Sequence, residues 1–109
     1  MMSEELYSVV WTKTALQDLQ SIIRYISSHS NRQAKNIYVE IKEHVKDLRQ
    51  LPFRGRVVPE LQFFGVLIYR ELIVKPWRII YKLEGKNVWI LAVIDGRRNV
   101  EDILFNRLV

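Results

Sequence analysis

The chain has 109 residues, a formal net charge of +5 and no cysteine, and 49% of its residues are hydrophobic. This length fits one domain, because domains commonly hold about 100–200 residues, and the composition is too apolar for an intrinsically disordered chain. The lack of cysteine excludes disulfides, cysteine-based zinc sites and thiol nucleophiles within this sequence, and it fits a reducing compartment. The longest apolar run, Val88 to Ile94, is much shorter than the ~20 residues that span a bilayer. We therefore expect a cytoplasmic protein with no membrane partner.

The positive charge is concentrated in the second part of the chain. Residues 1–50 carry 7 Lys or Arg and 6 Asp or Glu side chains, whereas residues 51–109 carry 10 and 6, so the excess is +1 and +4. Such an excess is compatible with a polyanionic or an acidic protein partner. Charge balance by itself predicts association and does not predict an activity.

The first part of the chain predicts a short strand followed by a helical hairpin. Leu6 to Trp11 is rich in β-branched and aromatic residues, as strands are. A helix over roughly residues 13–28 follows, with Thr12 as its N-cap and apolar residues at three- and four-residue steps. Beyond a polar break, Asn31 is a second N-cap candidate, and helical spacing continues until Pro52, which ends the second helix. The two helices predict an antiparallel hairpin whose apolar face needs a partner.

The partner in this prediction is an antiparallel sheet built from the rest of the chain. Three strongly β-prone runs are separated by short turns: Val66 to Val74, Trp77 to Leu83 and Val88 to Ile94. Arg56 to Val58 adds a possible edge pairing. In the middle run Arg78 and Lys82 share one face with Ile80, so the sheet is expected to be packed on one face and partly polar on the other. With a final helix over Val100 to Leu108, the prediction is an α+β fold: an N-terminal strand and a helical hairpin packed on an antiparallel sheet of three to four strands.

Several short motifs, taken in their order and spacing, give the chain a family resemblance. They are Trp11, Ala15 and Leu19 near the start, the Leu51-Pro52 helix end, the run Gly55 to Leu61, the strand Trp77 to Tyr81 and the strand end Val93 to Arg98. Over roughly residues 6–100 the chain resembles the RelE/ParE superfamily, the small toxins of bacterial and archaeal type II toxin–antitoxin operons. The resemblance implies a cognate antitoxin as partner, in a heteromeric complex. Neither a cofactor nor a metal ion is expected.

The superfamily divides by target. RelE-like members are ribosome-dependent mRNA endonucleases, and the resemblance implies that they use Lys and Arg on the sheet face together with a polar residue near the C-terminus. Arg78 and Arg98 match two of these cations, but Tyr69 and Glu71 stand where RelE-like sequences place lysines, and residues 100–109 contain no tyrosine or histidine. The long hairpin and the Gly-Arg-x-x-Pro-Glu connection instead resemble the ParE branch, whose members poison DNA gyrase without hydrolysing anything.

The predicted function is therefore that of a ParE-like gyrase inhibitor that a cognate antitoxin neutralises. One alternative is a RelE-like endoribonuclease acting on the ribosome and its mRNA, with Arg78 and Arg98 stabilising the charge on the attacked phosphate. In that alternative Tyr69 and Glu71 are the candidate pair for proton transfer. A second alternative is a decayed, non-toxic member retained as a binding module.

A set of basic side chains is predicted to contact the target or the antitoxin: Arg54, Arg56, Arg70, Lys75, Arg78, Arg97 and Arg98. Adjacent arginines after Gly96 suit bidentate pairing with carboxylate or phosphate. The simpler interpretation of Arg78 is a solvated cation on an exposed sheet face, paired with Glu71 or Glu84. Glu60 is expected to be structural, either by accepting from a backbone amide or by pairing with an arginine at the start of the sheet.

The aromatic and histidine side chains are mostly expected to have structural roles. Trp11, Trp77, Tyr81 and Trp89 are expected to be core residues and not base-stacking platforms. His29 and His44 are expected on helix surfaces, and no second ligand stands at a metal-binding spacing. Phe63 and Phe64 are adjacent, so in an extended chain one ring is expected to point inward and the other outward, the outward ring being a candidate antitoxin contact.

Overall fold

A five-stranded sheet with helices on both of its faces forms the body of the protein. The structure is a computed structural model, and it describes residues 6–108. In chain order the elements are β1 (Ser8–Trp11), α1 (Lys13–Ser27), α2 (Asn31–Lys46) with a 3-10 turn (Asp47–Arg49), β2 (Arg56–Val57), α3 (Pro59–Gln62), β3 (Tyr69–Val74), β4 (Trp77–Glu84), β5 (Asn87–Asp95) and α4 (Val100–Leu108). The α+β class, the hairpin, the edge pairing at β2 and the C-terminal helix are confirmed.

The sheet has the order β1-β5-β4-β3-β2, and β1 is its only parallel member in the described part of the chain. The sequence predicted three to four antiparallel strands, whereas β1 pairs parallel with β5, from Ser8 beside Asn87 to Trp11 beside Ile90. Because α1 starts directly after β1, no hairpin turn is available to this strand, and its backbone groups pair instead with the open side of the last strand.

Side-chain caps fix the start of both long helices. Thr12 Oγ1 accepts a hydrogen bond from the Ala15 amide at 3.2 Å, which confirms the predicted N-cap. At the second helix Ser30 is the cap, because its Oγ accepts from the Gln33 amide at 3.1 Å. The prediction of Asn31 as this cap is wrong by one residue, since Asn31 is already helical.

Two apolar clusters lie on opposite faces of the sheet. The hairpin packs on the first face and buries residues such as Ile41, Leu48 and Ile79 completely; full burial of one such side chain contributes about 1.5–3 kcal/mol. On the second face α3 and α4 pack over Ile80 and its neighbours, with Leu104 fully buried. The second face is partly polar as predicted, but the expectation that only one face is packed is wrong, because the strand pattern does not reveal the two short helices that cover the second face.

No helix within residues 6–108 combines the length and the apolar character needed to cross a membrane.

Candidate functional site

Four charged side chains form a continuous series of ion pairs on the second face of the sheet. Arg78 of β4 donates to both oxygens of Glu60, from Nη1 at 2.7 Å and from Nη2 at 2.6 Å. Its Nε donates to Glu71 Oε1 at 2.7 Å, and the other oxygen of Glu71 accepts from Arg56 Nε at 2.7 Å. We call this series the ion-pair chain; its order is Arg56, Glu71, Arg78, Glu60. It links β2, β3, β4 and α3, and its two arginines and two glutamates carry no net charge together.

Burial makes the middle of the ion-pair chain inaccessible. Glu71 is 1% exposed and Arg78 is 9% exposed. The hydrogen bonds from Arg78 lower the pKa of the Glu60 carboxyl below its ordinary value, although partial burial opposes them. The hydrogen bond to Glu60 likewise raises the pKa of the Arg78 guanidinium. Both oxygens of Glu71 are occupied by arginines, so this carboxylate is not available to take a proton from a substrate hydroxyl.

The structure changes the interpretation of Arg78 and supports that of Glu60. Arg78 is not a solvated cation: it lies beneath α3, which the sequence prediction left out, and it pairs with Glu71 as one of two expected partners. The other expected partner, Glu84, pairs with Lys82 at 3.4 Å. The structural role predicted for Glu60, paired with an arginine near the start of a strand, is confirmed.

The connection before β2 is anchored by a tyrosine hydroxyl. Tyr81 Oη donates to the Pro52 carbonyl at 2.8 Å and accepts from the Gly55 amide at 2.9 Å. A Cβ at Gly55 would lie 2.5 Å from the Glu71 carbonyl oxygen and 2.6 Å from Tyr81 Oη, so only glycine fits there. Burial raises the pKa of the Tyr81 phenol. The two hydrogen bonds hold the segment that carries Arg54 in place.

Three of the predicted cations lie around this anchored connection. Arg54 pairs with Asp47 at 2.8 Å in an exposed ion pair, and Arg56 keeps 60% of its side chain exposed while it pairs with Glu71. Arg70 donates to the Gly55 carbonyl at 2.7 Å, and its guanidinium lies 5.1 Å from the centre of the Phe53 ring. These three side chains form a basic region beside β2, and each already has an internal partner.

The other three predicted cations lie at the opposite end of β4. The β3–β4 turn carries Lys75, and it lies against the turn after β5, since the Gly96 amide donates to the Pro76 carbonyl at 2.8 Å. Arg97 is exposed, and its side chain donates two hydrogen bonds to Asp95, of 2.9 and 2.8 Å. Arg98 and Lys75 are exposed and form no ion pair with residues 6–108. We call Lys75, Arg97 and Arg98 the turn cations.

The predicted set is therefore divided among three places: the basic region beside β2, the buried Arg78, and the turn cations. Trp77 and Tyr81 are core residues as predicted, whereas Trp11 and Trp89 are half-buried. His44 is half-buried and His29 is exposed. No group of three metal-binding side chains occurs within residues 6–108. The expectation of one inward and one outward ring at Phe63 and Phe64 is wrong: both are exposed, because they lie in the turn after α3 and not in an extended segment. Phe64 packs edge-on against Phe105 with ring centres 4.9 Å apart.

Sequence reasoning missed the carboxylate that ties α1 to α4. Asp18 accepts from both terminal nitrogens of Arg107, at 2.6 and 2.9 Å, and also from the Val93 amide at 3.0 Å. The Val93 amide needs this acceptor because β1 ends opposite Ile90, so that β5 has no strand beside it there. A signal was present: an acidic residue stands in the apolar stripe, three residues after Ala15.

Similarity to known proteins shows the family to which the chain belongs. The family model described as ParE toxin of type II toxin-antitoxin system, parDE, matches residues 9–100. Toxin ParE3 of Caulobacter vibrioides is 48% identical over 97 residues, which cover 84% of this chain and 89% of that protein. The chromosomal ParDE toxin–antitoxin system from P. aeruginosa contains a chain with a TM-score of 0.69 and 26% identity, over 84% of this chain and 97% of that one.

A more distant structure shares the fold alone. The RelBE2 toxin–antitoxin complex from Mycobacterium tuberculosis contains a chain with a TM-score of 0.56 and 22% identity, over 85% of this chain and 94% of that one. The family model and the Caulobacter relative each span most of the sequence. This chain therefore belongs to the ParE family, the toxins of parDE type II toxin–antitoxin systems.

Proposed function

We propose that this ParE toxin acts by binding DNA gyrase, without cutting RNA, and that a cognate antitoxin neutralises it. A relative that matches over most of the chain is a toxin, and the P. aeruginosa neighbour comes from a system that pairs its toxin with an antitoxin. The toxin class follows from the family, whereas the target has to be argued from the site.

The burial and pairing of Arg78 are the observation that supports action by binding and not by RNA cleavage. Cleavage of RNA by its own 2′-hydroxyl needs a proton acceptor and cations that face the attacked phosphate. Here the strand arginine is buried and bound to two carboxylates, and the more buried of the two, Glu71, is itself bound to two arginines. The four charges of the ion-pair chain thus neutralise one another, so this chain offers neither a carboxylate base nor a free cation.

The turn cations are the surface that we assign to the target. Lys75 and Arg98 form no ion pair within residues 6–108, although Arg98 helps to lower the pKa of Asp95, and Arg97 is held outward by Asp95 with 73% of its side chain exposed. Clustered cations of this kind raise association rates with an acidic protein or a protein–DNA complex. The basic region beside β2 is less suited to binding the target, since its three arginines already bind acceptors within the protein.

Two parallel assays with purified toxin test the proposal. Gyrase supercoiling of relaxed plasmid is expected to stop as toxin is added and to recover when the cognate antitoxin is added first. Translating ribosomes with a defined mRNA are expected to show no new cleavage. The double variant Arg97→Glu/Arg98→Glu should weaken gyrase inhibition by about 100-fold, whereas Lys13→Glu/Lys35→Glu, with the same charge change on the helices, should not. Cleaved mRNA with unaffected supercoiling would refute the proposal.

A further inference from the structure

A groove opens beside the turn cations, between the tip of the helical hairpin and the end of the sheet. Its volume is about 470 Å³, which lies within the range of about 300–1,000 Å³ that is usual for ligand sites. The hairpin and the start of β4 both contribute apolar side chains to its walls: Ile26, Ile37, Pro76 and Trp77. Pro76 directly follows Lys75, and Arg97 also lines the groove. The groove is therefore continuous with the surface that we assign to the target.

The walls of this groove are incompletely covered by the protein itself. Ile26 and Ile37 pack against the core of the first face but stay partly exposed, and the Tyr25 ring, which also lines the groove, is 69% exposed. Trp77 is buried, yet its indole N–H has no hydrogen-bond acceptor within residues 6–108, whereas buried donors are normally satisfied. Both observations favour a bound molecule that brings a large apolar group and an oxygen atom close to it.

The charge around the groove is positive. Arg97 is the charged residue that lines it, and no carboxylate of residues 6–108 does so. Arg97 is paired with Asp95, whereas Lys75 and Arg98 form no ion pair within the described chain. Because complementary charges favour association, a segment that carries carboxylates next to an apolar side chain fits this surface.

We propose that the groove receives a large apolar side chain from an acidic segment of gyrase, while the turn cations pair with the carboxylates of that segment. In protein interfaces a desolvated apolar side chain supplies much of the affinity, and the charges around it increase the association rate. The inference rests on the proposed function, since it adds to the turn cations the site that holds the same target in place.

Charge and polarity favour this occupant over two others. A second copy of the toxin would bring its own net charge of +5 and the same turn cations to the groove. A nucleic acid duplex would place its phosphates at the cations, but its bases stay stacked inside the duplex, so no apolar group would reach Ile26 and Ile37. The antitoxin is distinguished from gyrase by measuring the affinity for both partners in each variant.

Filling the groove from the helix surface tests the binding of the apolar side chain. Gln33 lines the groove and is exposed, so Gln33→Trp adds a ring there without entering the core. This variant should weaken gyrase inhibition at least ~10-fold and bind the cognate antitoxin as the wild type does. Gln20→Trp, the same change at an exposed position of α1 outside the groove, should leave both activities unchanged. Equal gyrase inhibition by the two variants would overturn the proposal, and so would a Gln33→Trp variant that loses antitoxin binding instead.

Photocrosslinking from within the groove identifies the occupant without relying on a loss of function. A toxin with p-benzoylphenylalanine in place of Asn36, which is exposed and lines the groove, is irradiated with purified gyrase and DNA. The crosslinked gyrase peptide, identified by mass spectrometry, should contain Asp or Glu beside a large apolar residue. The same photoreactive residue in place of Gln20 should not give this product. A basic peptide, or no crosslink from a variant that still inhibits gyrase, would overturn the proposal.

The wild-type toxin, assayed beside these variants, separates failure of the groove from failure of the target. If the wild type does not inhibit gyrase, the proposed function is wrong and this inference is wrong with it. If the wild type inhibits gyrase while the groove variants behave like their Gln20 controls, only the groove assignment is wrong.

Discussion

Replacing Arg78 by methionine is expected to destabilise the fold by about 3–5 kcal/mol, the usual cost of breaking a buried ion pair by removing one partner. The change leaves Glu71, which is 1% exposed, with Arg56 as its only partner, and it leaves Glu60 facing an apolar side chain. Urea unfolding followed by tryptophan fluorescence gives the free energy of unfolding. The matched control is Arg54→Met, which removes an exposed pair worth about 0–1 kcal/mol.

The double variant Glu71→Leu/Arg78→Met separates charge compensation from simple loss of contacts. It removes both buried charges, and the remaining partners, Arg56 and Glu60, keep 60% and 26% of their side chains exposed and can be hydrated. We therefore expect the double variant to regain at least ~2 kcal/mol relative to Arg78→Met alone. Two results would refute the account of Arg78 as a buried, compensated charge. One is a double variant whose loss of unfolding free energy equals the sum of the losses of the two single variants, and the other is an Arg78→Met variant no less stable than Arg54→Met.

Three further predictions concern the anchored connection, the α1–α4 tie and acid. Gly55→Ala should lower the free energy of unfolding by about 1–3 kcal/mol, because its Cβ would overlap backbone; Gly85→Asn, in open space at a φ of 61°, should cost less than ~1 kcal/mol in the same urea assay. Asp18→Ala should speed hydrogen exchange at the Val93 amide and lower the free energy of unfolding by about 1–3 kcal/mol. An unchanged exchange rate would contradict the hydrogen bond from the Val93 amide to Asp18. Because Arg78 holds the pKa of Glu60 below its ordinary 4.5, the ionised carboxylate stabilises the fold above that pH, and this contribution is lost as the pH falls through the lowered value. The melting temperature of Glu60→Gln should accordingly depend less on pH below 4.5 than that of the wild type. An equal pH dependence of the two melting temperatures would contradict this stabilising role of Glu60.

The long elements could be predicted from the sequence because each carries many consistent signals. The first helix was expected over roughly residues 13–28 and spans Lys13–Ser27, and the last three strands were found with small errors at their ends. The parallel pairing of β1 and the four-residue α3 were not predicted. Their contacts depend on residues distant in sequence, although Pro59 at the first helical position marks the start of α3.

The candidate site was less predictable for the same reason. Alternation along β4 places Arg78 on the face opposite the hairpin, but only the position of α3 decides whether that face meets water or Glu60. The exposure of Arg97 and Arg98 followed from their place after Gly96 at the end of a strand, where the chain turns away from the sheet. Sequence patterns therefore located the turn cations and the carboxylates that pair with arginine, but they misjudged the burial of Arg78.

The pairing of β1 with β5 also determines when the chain can fold during its synthesis. It joins Trp11 to Ile90, and a ribosome that adds about 5–20 residues per second needs about 4–16 s to pass from one to the other. Until then β1 and the hairpin have no β5 to pack against, so the nascent chain cannot complete its core. A chain released before β5 is made should therefore be harmless. The toxin fold can therefore form only after β5 has been translated.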